Sequence, residues 1–338
     1  MRKFIFILLF LFFKMNISAQ IVARNLALRK PININAQTFS YTGAIQQFIV
    51  PNRVTAIQVN AIGAKGGTGG GGQPGGAGAN ITTTLNVTPG QILYIVVGGF
   101  PGQSAIAKYG FAGFGGNDNS GTGFGGAGGG LSGVFTSSSP ATANALVVAG
   151  GGGGGSGTGG TINYNGGAAL NSNTGSAANG QGATGYLVSS RYQFGYGAST
   201  TAAGVGGYAF DNAPAQHGGD GNGMNGGAGG IGTIWQGAGG GGAGFYGGGG
   251  GAGGGAANGG GGGGSSKSIT DINSYGTFNT TGDGSVSITC ISNSGLVLHL
   301  DAGNPASYSG SGSTTWNDLS GNGSNVTLTN TSFNSANG

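Results

Sequence analysis

Residues 145–155 read Ala-Leu-Val-Val-Ala-Gly-Gly-Gly-Gly-Gly-Gly, an apolar run that passes without a turn residue into six consecutive glycines. The first half has the β-branched character of a buried strand. The second half has no side chains to place in a core, and glycine loses more backbone entropy on ordering than any other residue. Such a run is either a flexible tether or an extended threefold helix of the polyproline II type. That helix has no internal hydrogen bonds, so its N–H and C=O groups must be met by neighbouring segments. Two features favour the helix. Apolar residues (Phe111, Phe114, Phe124, Ile234, Trp235, Phe245, Tyr246) stud the runs, unlike a Gly/Ser tether. The runs also alternate with strands over some two hundred residues, where a tether would join two finished domains.

Working outward, the strands recur on both sides. Residues 39–50 and 54–62 are rich in aromatic and β-branched residues around a Pro51-Asn52 turn. Residues 80–97 read as a hairpin with Pro89-Gly90 at its tip. Ile81, Thr83, Leu85 and Val87 share one face of its first strand, and residues 92–97 are apolar on both faces. In the last strand Val286, Ile288 and Cys290 alternate with Ser285, Ser287 and Thr289, which predicts a half-buried strand with the only cysteine in the core. No capped segment of helical period and useful length occurs after residue 19. The expected class is all-β, a sandwich frame with packed glycine helices.

Composition agrees with this. Glycine is 86 of 338 residues, and 75 of those lie in the 204 positions from Ala61 to Gly264. Seven aspartates, no glutamate and 11 Lys plus Arg leave too little charge for a coiled coil, while 37 % apolar residues exclude charged disorder. Unbroken glycine runs violate the collagen period. Arg2, Lys3 and Lys14 surround a ten-residue apolar run that ends before the small residues Ser18 and Ala19, the layout of a secretory signal cut after Ala19. Without it 8 basic residues face 7 acidic ones, so the mature chain has no basic field for nucleic acid. It also has no second apolar run long enough for a transmembrane segment.

The order of motifs is familiar. Phe39-Ser-Tyr-Thr-Gly-Ala-Ile-Gln-Gln-Phe-Ile-Val-Pro51, residues 54–67 and Val87-Thr-Pro-Gly-Gln-Ile-Leu-Tyr-Ile-Val-Val-Gly-Gly99 come first. Residues 145–154, 239–250, 259–266 and Thr281-Gly-Asp-Gly-Ser-Val-Ser-Ile-Thr289 follow. Together they resemble the glycine-rich domain of the anaplastic lymphoma kinase and leukocyte tyrosine kinase receptor ectodomains, also found in exported bacterial proteins. The resemblance covers residues 38–292 and implies a sandwich similar to the tumour-necrosis-factor fold, with glycine helices projecting from it side by side. In the receptors that surface helps bind a protein ligand. Kinase activity is not implied: the chain has no glutamate, no His-Arg-Asp loop and no Asp-Phe-Gly.

Residues 295–308 and 315–323 resemble the opening strands of concanavalin-like or laminin-G-like lectin domains. Only 44 residues remain from Gly295, where such jelly-roll sandwiches take more than about 100. The expected organisation is therefore a signal peptide (1–19), a leader (20–37), the glycine-rich domain (38–292) and a truncated lectin-like start (293–338), the chain being a fragment of a longer product.

Other motifs reduce to turn chemistry. Residues 123–128 fit G-x-G-x-x-G, but no strand–turn–helix unit surrounds them. The phosphate-loop pattern fails at Ser266, before Lys267. Residues 218–223 begin like a calcium β-roll repeat but place Gly223 where a ligand is needed. Asp318, Ser320, Asn322 and Gly323 begin like an EF-hand loop, whose closing glutamate is Thr329 here. His217 and His299 stand 82 positions apart, and no two aspartates are marked as partners.

The sequence thus points to an exported, non-catalytic binding or adhesion module without metal or cofactor. Its partner is expected to be a protein or glycan ligand at a cell surface, with Phe124, Trp235, Phe245 and Tyr246 as contact residues. The alternative is a scaffold for a downstream carbohydrate-binding or carbohydrate-active domain. Ice binding, a third reading, needs a regular Thr or Ala face that the glycine runs do not show.

Overall fold

The computed structural model describes residues 36–117, 123–157, 162–169, 172–174, 177–180, 182–183, 187–188, 191–192, 194–209, 217–232, 237–254, 257–276, 278–291, 298, 300, 306–309, 314–319 and 323–328. Seven strands lead the chain: β1 (Gln37–Ser40), β2 (Gln46–Ile49), β3 (Ala56–Ile62), β4 (Asn80–Asn86), β5 (Ile92–Val96), β6 (Ser132–Phe135) and β7 (Ala145–Ala149). Later strands complete two antiparallel sheets. One runs β1, Ser285–Ile291, β3, β4, Ile272–Tyr275; the other β2, β5, β6, β7, Ser266–Ser268, Ala177–Asn179, Ser172–Thr174.

The alternating patterns become the sandwich core. Ile57, Val59 and Ala61 of β3, Ile81 and Leu85 of β4, and Val286, Ile288 and Cys290 are all buried. They face the other sheet, with β3 and β4 lying against β6 and β7, where Leu93, Ile95, Val134 and Val147 are also buried. At the edge, Phe39 of β1 meets Phe48 of β2 edge-on, with centroids 6.4 Å apart. Burial raises the Cys290 thiol pKa above its ordinary value.

Two local expectations change. Residues 39–50 form two strands in different sheets, with the chain crossing the sandwich between Ser40 and Gln46. Residues 80–97 are not a hairpin either. Both edges of β4 are taken, by β3 and by Ile272–Tyr275, so β5 pairs with β2 and β6 in the opposite sheet. The apolar character of β5 on both faces has a matching cause. Leu93 and Ile95 enter the sandwich, while Val96 lies under an apron of Met224, Ala243 and Phe245 supplied by the glycine-rich segments.

The glycine run leaving β7 is enclosed by other segments. The amides of Gly151, Gly154 and Gly157 donate to the carbonyls of Ala243, Gly240 and Gly237; those of Gly152 and Gly155 to Ala64 and Gly67; those of Gly153 and Ser156 to Gly167 and Tyr164, all at 2.7–3.1 Å. Donor and acceptor both step by three, in the same direction along residues 64–67 and in the opposite direction along 237–243 and 164–167, so the run turns once every three residues. Three more neighbours donate inward. Gly264 and Gly261 reach the carbonyls of Gly151 and Gly154, Gly129 and Gly126 those of Gly152 and Gly155, and Ala79 and Gly76 those of Gly150 and Gly153. Six segments thus surround one helix, paired through backbone except at its ends, where Ser266 Oγ accepts the Gly150 N–H and Ser156 Oγ the Tyr164 N–H.

Residues 237–244 repeat the arrangement, with Gly237, Gly240 and Ala243 donating to Gly123, Gly126 and Gly129, and Gly239 and Gly242 to Gly259 and Gly262. Glycine is required by approach: a Cβ built on Gly152 would fall on the Gly76 carbonyl, and one on Gly153 on that of Gly261. The expected packed glycine helices are what the chain forms.

In the C-terminal stretch, Thr315–Trp316 pairs antiparallel with Val326–Thr327. The Asp318 carboxylate accepts the Ser324 N–H at 3.0 Å and its own N–H donates to Asn325 at 2.9 Å, which is turn chemistry.

Candidate binding surface

Of the four contact residues expected from sequence, Phe124, Phe245 and Tyr246 fall among the described residues. Phe245 is buried, its ring edge-on to Tyr246 at 5.1 Å and capped by the Lys267 ammonium at 4.3 Å. It closes the apron over β5 and β6, so its place is in the core, a correction to its expected role; the half-buried Tyr246 packs on the same cluster. Phe124 is half-buried, and its carbonyl accepts the Gly70 N–H at 2.8 Å. Trp235 lies outside the described residues. The phenol of Tyr109, packed against the same apron, has its pKa raised by burial.

Among the exposed apolar side chains, four stand together on glycine helices at the surface: Phe114, Val205, Tyr208 and Ile231. Residues 224–232 alternate between buried and exposed with a period of three: Met224, Gly227 and Gly230 are buried, while Asn225, Ala228 and Ile231 are exposed. Residues 202–208 expose Ala202, Val205 and Tyr208 in the same rhythm. Phe114 projects from the neighbouring run and is 57 % exposed; Val205, Tyr208 and Ile231 are each about half exposed.

Backbone hydrogen bonds fix these runs as neighbours. Gly229 donates to Phe114, Gly219 to Ala228, and Gly218 to Gly207, at 2.8–2.9 Å. Beneath them Gly227 and Gly207 donate to Gly248 and Gly250. The chain therefore presents an outer layer of threefold helices in which each third residue is free to carry a side chain. Sequence reasoning noted Phe114 but not Val205, Tyr208 or Ile231. The signal that would have found them is the spacing of three, which lies outside the helical and strand periods.

The layer is joined partly by side chains. Gly206 donates to Asp220 Oδ1 at 2.8 Å, and Ala209 donates to His217 Nδ1 at 3.0 Å. The donors are three apart and so are the acceptors, so two side chains stand in for a missing row of carbonyls. The His217 ring also meets Tyr208 edge-on at 4.5 Å. Among the described residues no three His, Cys, Asp or Glu side chains cluster to hold a metal ion, and no helix is long and apolar enough to cross a membrane. Comparison with protein-family models and with curated proteins finds no match for this chain.

Proposed function

We propose that this chain is an exported, non-catalytic binding or adhesion module at the cell surface or outside the cell, built on a glycine-rich domain of the receptor-ectodomain type. The observation that carries the reading is the outer layer of glycine helices. Its backbone is fixed on the inward side, and it sets Phe114, Ile231, Val205 and Tyr208 outward on a stiff support. Large apolar and aromatic side chains on a rigid base give contact area at low entropic cost. The motif order over residues 38–292 and the signal-like N-terminus support the same reading, and the partner is a protein or glycan on another surface.

The test is adhesion of the full chain, immobilised, to whole cells and to protein and glycan arrays. Phe114→Asp and Val205→Asp, at exposed positions, are expected to abolish capture while leaving the melting temperature unchanged. Capture that survives both substitutions overturns this surface as the contact site.

A further inference from the structure

Phe111 is one of only two described non-glycine residues with a left-handed backbone, at φ 69°, and it directly follows Gly110 at φ 117°. A bulky residue in this region is a true outlier, held only where the surroundings over-determine it. In a chain with 86 glycines, glycine would remove the strain at once. Phe111 is also where the wall of a recess stands. The recess, of about 280 Å³, is lined by Phe111, by Pro140, Ala141 and Thr142, and by residues 222–225.

Each wall is fixed by its own bonds. The Phe111 carbonyl accepts the Gly226 N–H at 2.9 Å. Ala141 N–H donates to Asn144 Oδ1 at 3.0 Å, and Asn144 Nδ2 to the Ser139 carbonyl at 2.8 Å, which sets the loop between β6 and β7. Asn222 and Asn225 exchange both backbone bonds at 3.0 Å around Gly223 at φ 54°. The recess is thus largely pre-formed, as ligand sites are.

We propose that this recess binds a single neutral sugar residue, the end of a glycan chain. The inference rests on the adhesion reading and names the chemistry of one ligand for it. No lining residue has an ionisable side chain, so an anionic or cationic ligand finds no counter-charge. Phe111, Pro140 and Met224 offer an apolar floor for the C–H face of a pyranose. Asn222 and Thr142 supply amide and hydroxyl groups that both donate and accept, and Asn225, whose Nδ2 gives one bond to the Asn222 carbonyl at 3.2 Å, adds its Oδ1 and a second N–H, matching sugar hydroxyls. The volume suits one ring, and the opening to solvent leaves an exit for the rest of the glycan.

The experiment uses the full chain and saturation-transfer NMR with methyl glycosides of glucose, galactose, mannose and N-acetylglucosamine, with N-acetylneuraminic acid as the charged control. At least one neutral glycoside is expected to bind with Kd on the order of 1 mM. Ala141→Trp, which fills the recess from its exposed rim, is expected to weaken that binding at least about tenfold. Phe111→Gly should do the same, at some cost in melting temperature because the Phe111 ring also packs against the cluster of Val96, Phe135 and Met224. If Phe111→Gly loosens the fold, the Ala141→Trp result decides. No signal from any neutral glycoside, a preference for the acidic sugar, or binding unchanged by Ala141→Trp each overturns the proposal. Cell capture that persists without sugar binding overturns the recess and leaves the adhesion reading standing; sugar binding without cell capture does the reverse.

Discussion

The sandwich and the glycine array are built from opposite materials. In the sandwich, side chains do the specifying: Ile57, Leu85, Leu93, Ile95 and Ile288 fill the space between two sheets, and each is essentially inaccessible to water. In the array, side chains are what must be absent. Residues 151–155 touch their neighbours through N–H, C=O and Cα alone, and the same close approach that forms the hydrogen bonds leaves no room for a Cβ. One region is stabilised chiefly by removing apolar surface from water. The other depends on backbone pairing, each bond contributing about 1 kcal/mol net and each orphaned buried group costing more. Loss of mass harms the first region; gain of mass harms the second.

That contrast can be broken most sharply at Gly152. Its missing Cβ points at the Gly76 carbonyl, backbone that cannot rotate away. Gly152→Val, and likewise Gly262→Val against the Tyr196 carbonyl, should cost more than about 4 kcal/mol, beyond ordinary overpacking. The measurement is the thermal or denaturant midpoint, with amide exchange across residues 150–157 in the parent as slow as in β3. A midpoint unchanged for both variants would make the glycine runs spacers. Next comes the sandwich: Ile57→Ala should cost about 3 kcal/mol through lost burial and the cavity left behind, read as a shift in denaturant midpoint at unchanged slope. A negligible shift would show that this core is not where stability resides.

Smaller still is the control at Gly282, where no heavy atom lies within 4 Å of a built Cβ. Gly282→Ala should stay within about 0.5 kcal/mol of the parent; a large loss there would mean that glycine is needed for more than close approach. The subtlest effect is in alkali. Burial raises the pKa of the Cys290 thiol and of the Tyr109 and Tyr275 phenols. The unfolded chain then gives up those protons first, so stability is full below their ordinary pKa values and declines as pH climbs through the raised ones. Thiol labelling at neutral pH should be slow until the chain unfolds, and fast labelling would place Cys290 outside the core.

The two regions were not equally legible in the sequence. Strand alternation announced β3, β4 and Ser285–Ile291, including the inward Cys290, because a half-buried sheet writes its period directly into residue type. The pairing of β4 and β5 was misread because Pro89-Gly90 specifies a turn but not which partners are already occupied. The apolar back of β5 was seen, but what covers it was not, since Met224 and Phe245 arrive from more than a hundred residues away. In the array, composition said "glycine helix" but could not say which run lies beside which: identical residues offer no complementarity to match. The exposed rows at Val205 and Tyr208 and at Ala228 and Ile231 were legible in principle, through a period of three.

That period also restricts how such a chain can change over generations. A run like 150–157 addresses six neighbours through three faces, and successive residues point about 120° apart. Inserting one glycine would leave composition untouched, yet every later residue would turn to the wrong neighbour and lose its register along the axis. Inserting three would restore the facing and only shift the run forward by one turn. Length changes confined to the glycine tracts should therefore come in threes, and single-codon gains or losses should be confined to the loops that join them.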